Sequence, residues 1–312
     1  MPIRKGLIMQ NNNDITIKIN ALKKERNAVI LVHNYQLGEV QDIGDFVGDS
    51  LELAQKAATT GADLIVFCGV HFMAETAAII APGSKVILPD AHAGCPMADM
   101  IDAAGLRRMK AQLPGRPVVC YINSTAEVKA ESDICCTSAN AVKVVNSLPD
   151  DELIFVPDQY LGYYAQQQTG KHIHFWPGYC PTHARILPEH ILELKAEHPN
   201  AAAVVHPECR PEVTAVADEV LSTGGMIRFA RRPEVTELIV GTEMGIIHRL
   251  RKENPGKRFY PVSEQAVCPN MKLITLDKVL TALETENHEV TVGEEIADKA
   301  RLTIERMLAI KA

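Results

Sequence analysis

Three Cys-Pro dipeptides, in GCPMA (94–98), GYCPTH (178–183) and AVCPNM (266–271), place Cys95, Cys180 and Cys268 at intervals of 85 and 88 residues. Each follows an apolar run that ends in or near proline: KVILP (85–89), HIHFWP (172–177) and RFYPV (258–262). A second set of apolar runs lies further upstream, in NAVILVHN (27–34), RPVVCYIN (116–123) and AAAVVHPE (201–208). Their polar ends, His33, Tyr121 and His206, are spaced by 88 and 85 residues, so two independent landmarks share one period. A fixed period of this length signals an internal triplication. It limits the chain to three copies of one supersecondary unit.

Between the landmarks, short apolar runs alternate with helical patterns. The first copy reads as strand 28–33, helix about 39–59, strand 64–68, helix about 72–81 and strand 85–89. The second adds a strand and helix over 152–170. The third has strands near 202–206, 226–230 and 238–241 and a helix near 243–253. Near-continuous apolar strands separated by helices predict parallel sheets covered on both faces. The expected fold is α/β: three homologous three-layer α/β/α domains with short parallel sheets in a pseudo-threefold array. Module one spans 1–98, module two 99–184 and module three 185–274, with the segment 275–312 expected to pack on module one.

Each Cys-Pro precedes a helical stretch, and proline suits a first helical position because its missing N–H is not needed there. The preceding cysteine then sits at the N-cap, where the helix dipole favours thiolate over thiol. A single buried cysteine is ordinarily a small core residue, which is the reading for Cys68, Cys120, Cys135 and Cys136. Cys209, in HPEC, lacks the proline and breaks the repeat. The shared context of Cys95, Cys180 and Cys268 instead points to three thiolates meeting on one axis. Such a triad suits a cubane cluster with one open iron. It also suits zinc, although the repeat supplies no fourth ligand. The spacing is unlike the tight cysteine runs of ferredoxins, which disfavours a simple electron carrier.

Ligand sites of open parallel sheets lie beyond the carboxyl ends of the strands. HNYQ (33–36), YIN (121–123) and HPE (206–208) fall there, as do TSANA (137–141) and STGG (222–225). GDS (48–50) reads as lying within or after a helix. A lone histidine at a strand end is ordinarily a structural hydrogen bonder, and Ser138, Ser222 and Thr223 are ordinary helix caps. As a matched set they can instead present hydroxyls and N–H groups to carboxylate or phosphate. Neither G-x-x-x-x-G-K-[ST] nor G-x-G-x-x-G occurs, so nucleotide binding has no motif.

The formal charge of −7 argues against a general nucleic-acid or anionic-membrane surface. The basic stretch 248–258 reads as a solvated helix end and turn. No apolar run reaches the ~18 residues of a membrane span. The first fourteen residues have no apolar core of a secretory signal. Eight cysteines without an export signal suggest a reducing compartment, hence the cytoplasm.

Taken together, HNYQ, GDS, GCPMA, YIN, TSANA, GYCPTH, HPEC, STGGM and CPNMK resemble, in order and spacing, the quinolinate synthase family over about residues 20–275. The resemblance implies three related α/β/α domains and one [4Fe–4S] cluster per chain, held by Cys95, Cys180 and Cys268 with one iron open. It implies a transferase that condenses iminosuccinate with dihydroxyacetone phosphate to quinolinate, phosphate and water on the route to NAD. That role would couple it to an iminosuccinate-producing enzyme. His33, Ser50, Tyr121, Asn123, Ser138, His206, Glu208 and Thr223 match substrate-contacting positions. Tyr35 belongs to the same pocket, and His183 completes a Cys-x-x-His with Cys180. The proton-transfer roles fall to Glu208, His206 and Tyr35. Some relatives carry C-x-x-C-x-x-C near the last ligand. Here Gln265 and Val262 stand at those positions, so that extra thiol pair is absent. Two other readings keep the same residues: another iron–sulfur hydro-lyase acting on a hydroxy acid, and a zinc-stabilised dicarboxylate-binding protein without turnover.

Overall fold

The computed structural model describes the backbone of residues 2–310 and side chains from residue 12 onward. Met1 and residues 311–312, the extremes of the first module and of the carboxyl-terminal segment, lie outside the described residues. The side chains of most of the amino-terminal stretch read for a leader lie outside them too.

Three four-stranded parallel sheets follow one another along the chain. The first contains β1 (Ala28–His33), β2 (Phe46–Gly48), β3 (Leu64–Cys68) and β4 (Lys85–Ile87). The second contains β5 (Val118–Tyr121), β6 (Ile134–Cys136), β7 (Glu152–Val156) and β8 (His172–Phe175). The third contains β9 (Ala202–Val205), β10 (Glu219–Val220), β11 (Glu237–Gly241) and β12 (Arg258–Pro261). Their orders, β2-β1-β3-β4, β6-β5-β7-β8 and β10-β9-β11-β12, are the same order three times. The α/β fold of three related units read from the period is therefore present.

Both faces of each sheet are covered, which is why the strands read as unbroken apolar runs. In the third sheet Val204, Leu238 and Val240 pack into one core, and Ala203, Val205 and Ile239 into another on the opposite face. Alternation along a strand sends successive side chains to opposite faces. The first two sheets share one larger core with the carboxyl-terminal helices. Helix Leu276–Thr285 packs on helix Pro2–Glu25 and β3. Helix Glu294–Ala309 lies against β6 and the helices Ala126–Ala130 and His71–Ile80.

A third landmark keeps the period. Asp45, Asp133 and Asp218 each accept the N–H of a residue early in the first strand of their sheet: Ile30 at 2.8 Å, Val118 at 2.7 Å and Ala203 at 2.7 Å. Each aspartate returns its own N–H to that residue's carbonyl. The same two-way clasp thus fixes the crossover into β2, β6 and β10.

Three local expectations are corrected. The stretch 226–230, read as a strand, lies in helix Thr223–Ala230, and the short β10 precedes it. Its apolar residues Met226, Ile227, Phe229 and Ala230 face one core at helical spacing, a pattern that a five-residue window cannot separate from a strand. The helix read over 39–59 is interrupted: Gly38–Asp42 is followed by β2 and then by helix Ser50–Thr59. Ser50 of GDS therefore opens a helix at the end of β2.

The third correction concerns Cys-Pro. No α-helix begins there. A turn and one 3₁₀ turn intervene, at Ala98–Met100, His183–Arg185 and Met271–Leu273. The helices start later, after Asp102, Leu187 and Thr275. The cysteines cap tight turns and have no helix dipole of any length behind them.

Replacing Asp45, Asp133 or Asp218 by Ala strands a backbone N–H of the sheet, at a cost of about 1–3 kcal/mol. The three variants should lose similar stability in urea unfolding. A wide spread would mean that the three clasps are not equivalent.

Candidate active site

The carboxyl ends of the three sheets open on one shared cavity, the place where ligands of open parallel sheets bind. The ligand, substrate-contacting and proton-transfer residues expected from the resemblance all line it, whereas Ser222 does not. Module one contributes His33, Tyr35, Ser50 and Cys95; module two contributes Tyr121, Asn123, Ser138 and Cys180; module three contributes His206, Glu208, Thr223 and Cys268. His183 lines it as well, whereas Cys209 does not: its buried Sγ faces the Gly241 carbonyl at 3.6 Å. Cys68, Cys120, Cys135 and Cys136 are buried in the strands.

The first strand of each sheet delivers a pair of residues two positions apart: His33 and Tyr35, Tyr121 and Asn123, His206 and Glu208. In modules one and three the histidine Nδ1 accepts the N–H of its partner, from Tyr35 at 3.2 Å and from Glu208 at 3.3 Å. With Nδ1 accepting, the neutral ring carries its hydrogen on Nε2, and His206 can donate to Ser138 Oγ at 3.1 Å. Burial holds both His33 and His206 down to about 3, so both rings are neutral near pH 7.

Glu208 is the hub. Its Oε1 accepts from the Tyr121 hydroxyl at 2.6 Å and from Asn123 Nδ2 at 3.4 Å, and its Oε2 lies 2.7 Å from His183 Nδ1. Burial raises the carboxyl, but His183, His206 and the Tyr121 hydroxyl outweigh it and hold Glu208 below the ordinary carboxylate range. Beyond His183 the chain of polar atoms continues. His183 Nε2 is 2.8 Å from Thr242 Oγ1, which is 2.5 Å from the Tyr35 hydroxyl. Burial and the nearby Glu208 charge raise Tyr35 and Tyr121 well above a free phenol, so both remain protonated donors. Among the described residues that line the cavity, one buried side-chain polar atom is left without a partner: Asn123 Oδ1.

The helices that start at the cavity are capped from within the protein. Asp49 takes the N–H groups of Leu51 and Glu52, and Ser222 takes that of Gly225. Ser50 and Thr223, the first helical residues, line the cavity, and so does the capping Asp49. Asn34 Nδ2 donates to Thr223 Oγ1 at 2.9 Å, tying module one to module three.

The sulfurs of Cys95, Cys180 and Cys268 accept N–H bonds from the turn that follows each: from Met97 and Ala98, from His183, and from Asn270 and Met271. Burial nonetheless raises all three thiols, Cys95 to about 12. The expected thiolate-favouring site is therefore corrected: a single turn cannot offset desolvation. A soft cation would have to stabilise the thiolates. Three sulfurs with no fourth cysteine in the cavity fit a cluster held by three ligands. A Cys180–His183–Glu208 group, whose donor atoms lie within 4.8 Å of one another, could hold a single ion instead.

Three residues went unread in the sequence. Thr242 has no signal beyond its place after β11. Asp158 and Glu243 had one, because they follow β7 and β11 at an interval of 85 residues.

Fold and site together define a class: a three-domain α/β protein with three half-buried thiols and a buried, hydrogen-bonded carboxylate lining one central cavity. The family model for quinolinate synthetase A protein matches residues 17–309. Over 296 residues the chain is 66% identical to the quinolinate synthase of Dehalococcoides mccartyi, covering 95% of this chain and 98% of that protein. It is 55% identical over 303 residues to that of Desulforudis audaxviator, covering 97% and 100%. It is 54% identical over 298 residues to quinolinate synthase 1 of Methanosarcina acetivorans, covering 96% and 98%. The chain belongs to the quinolinate synthase family.

The two buried histidines bear on pH. Their values lie below the ordinary 6.5, so the unfolded chain binds more protons between about 6.5 and 3. Stability should be complete above pH 6.5 and fall as the pH drops below it, by roughly 1.4 kcal/mol per unit and ring. Urea titrations of metal-free protein at pH 7 and 5 measure this, and His206→Asn should show the shallower loss.

Proposed function

We propose that this chain condenses iminosuccinate with dihydroxyacetone phosphate to give quinolinate, phosphate and water, a transferase reaction that forms a carbon–carbon bond with loss of water. What carries the reading is that one Cys-Pro thiol from each module opens on the same cavity as the Glu208 network. Cys95, Cys180 and Cys268 would hold a [4Fe–4S] cluster, one per chain. When bound, its open iron supplies a Lewis acid that polarises a substrate oxygen or nitrogen.

The protein's own groups handle binding and protons. Glu208, ionised between neutral donors, takes a proton from substrate and returns it at dehydration or tautomerisation, with His206 beside it. His183 Nδ1 holds the carboxylate in place at 2.7 Å, and Thr242 and Tyr35 hold the far side of His183. Asn123 Oδ1, buried and unpartnered, awaits a substrate N–H or O–H. Ser50 and Thr223, on helices that begin at the cavity, and the Ser138 hydroxyl suit carboxylate and phosphate oxygens. His33 completes the substrate wall. The domain division at 98 and 184 assigns one ligand to each of the first two modules and the third to residues 185–274. Iminosuccinate would come from an enzyme that oxidises or dehydrates a four-carbon amino acid, in the same compartment, the cytoplasm. No helix among the described residues is long and apolar enough to cross a membrane.

The Cys180–His183–Glu208 group favours one rival, a zinc protein without turnover. Iron, sulfide and zinc analysis of protein purified without oxygen decides between them, and a quinolinate assay then separates this reaction from other iron–sulfur dehydrations. Replacing Cys95, Cys180 or Cys268 by Ala should lower bound iron and sulfide and abolish quinolinate formation. Cys209→Ala should keep the cluster. If Cys209→Ala loses iron while one of the other three stays loaded and active, the ligand set is wrong.

Glu208→Gln keeps size and a hydrogen-bonding group but cannot cycle a proton. It should retain iron and lose about 10²–10⁴-fold in turnover. Near-normal anaerobic rates in loaded protein would remove Glu208 from this role.

A further inference from the structure

The three cysteine loops are built alike but are not held alike. In each module a backbone N–H just past the third strand donates to the carbonyl two residues before the cysteine: His71 to Ala93 at 2.8 Å, Gln159 to Gly178 at 2.8 Å and Met244 to Ala266 at 3.0 Å. The residues preceding those donors are Val70, Asp158 and Glu243. Asp158 Oδ2 accepts the N–H of Cys180 at 3.1 Å, and Glu243 Oε1 accepts the N–H of Cys268 at 3.1 Å. Val70 offers nothing comparable. The Cys95 loop rests instead on its neighbour, through Asn270 Nδ2 to the Gly94 carbonyl at 2.8 Å.

The two acids differ in compensation. Glu243 is paired with Lys272 Nζ at 3.0 Å and also takes the Gly245 N–H at 2.7 Å. Asp158 is fully buried, takes the Leu161 N–H on Oδ1 at 2.7 Å, and has no cationic side chain among its described partners. Both of its oxygens accept backbone N–H groups, while burial and the Glu208 charge raise its carboxyl well above the usual carboxylate range. Neither group is required for the proton chemistry at Glu208.

We propose that Asp158 and Glu243 are positioning residues that clamp the loops of Cys180 and Cys268, so that these two thiols are presented to a bound cluster by acids of their own modules. The Cys95 loop lacks such an acid and is placed by Asn270 of its neighbour. The inference rests on the assignment of those cysteines as ligands. Partners that orient the ligands of a metal site hold its geometry as firmly as the ligands do.

The test is amide hydrogen exchange on metal-free protein. Asp158→Gly suits the positive φ of 65° at this position and removes both acceptors. It should speed exchange in the peptide carrying Cys180 and leave that carrying Cys95 unchanged. Asn270→Ala should do the reverse. Unchanged exchange at Cys180 in Asp158→Gly overturns the clamp, as does an equal rise in all three cysteine peptides. Parent protein that takes up no iron and sulfide would instead sink the ligand assignment, with the exchange result still deciding the clamp.

Discussion

A carboxylate removed from water must recover its hydrogen bonds from the protein, and Glu208 recovers them from several separate parts of the chain. Tyr121 and Asn123 reach it from the end of β5, and His183 reaches it from the turn after Cys180. Thr242 and Tyr35, from modules three and one, then hold the far side of His183. No single module can satisfy this group. Desolvating an unpaired carboxylate is costly, so the cavity is complete only when the three modules are docked. The energetic demand of one side chain thereby ties together the geometry of the whole centre.

Triplication makes such convergence easy to build. Three parallel sheets with one strand order present three carboxyl ends, and the Asp45, Asp133 and Asp218 clasps set the same crossover in each. Divergence then works at fixed backbone positions. The pair beyond the first strand is His-Tyr in one module, Tyr-Asn in the next and His-Glu in the third. The scaffold supplies position, and each copy supplies a different donor or acceptor.

This division explains what the sequence disclosed. The period exposed the modules, the three Cys-Pro thiols and the strand-end segments, because strand ends and Cys-Pro are backbone-level features that triplication preserves; the individual substrate-contacting residues followed from the family resemblance. Residues 226–230 misled because an amphipathic helix with small and apolar residues looks like a strand over five positions. The span 39–59 misled because Gly44, Asp45 and the three-residue β2 break a helix too briefly to erase its pattern. Thr242 was invisible: its importance lies in contacts from Tyr35 and His183, which are distant in sequence. The Cys-Pro helix starts failed for a related reason. Proline is compatible with a helix start but does not compel one, and here backbone bonds such as Ala184 N–H to the Cys180 carbonyl at 2.9 Å close a single turn.

That failure changes the account of the thiols. A long helix behind each cysteine would have lowered its pKa before any metal arrived. A single turn leaves burial dominant, and the thiols are raised. A protonated thiol is a poor nucleophile and a poor metal ligand. Any metal held by Cys95, Cys180 and Cys268 would therefore have to displace their protons and balance the thiolate charge that desolvation disfavours, which ties occupancy of the site to pH.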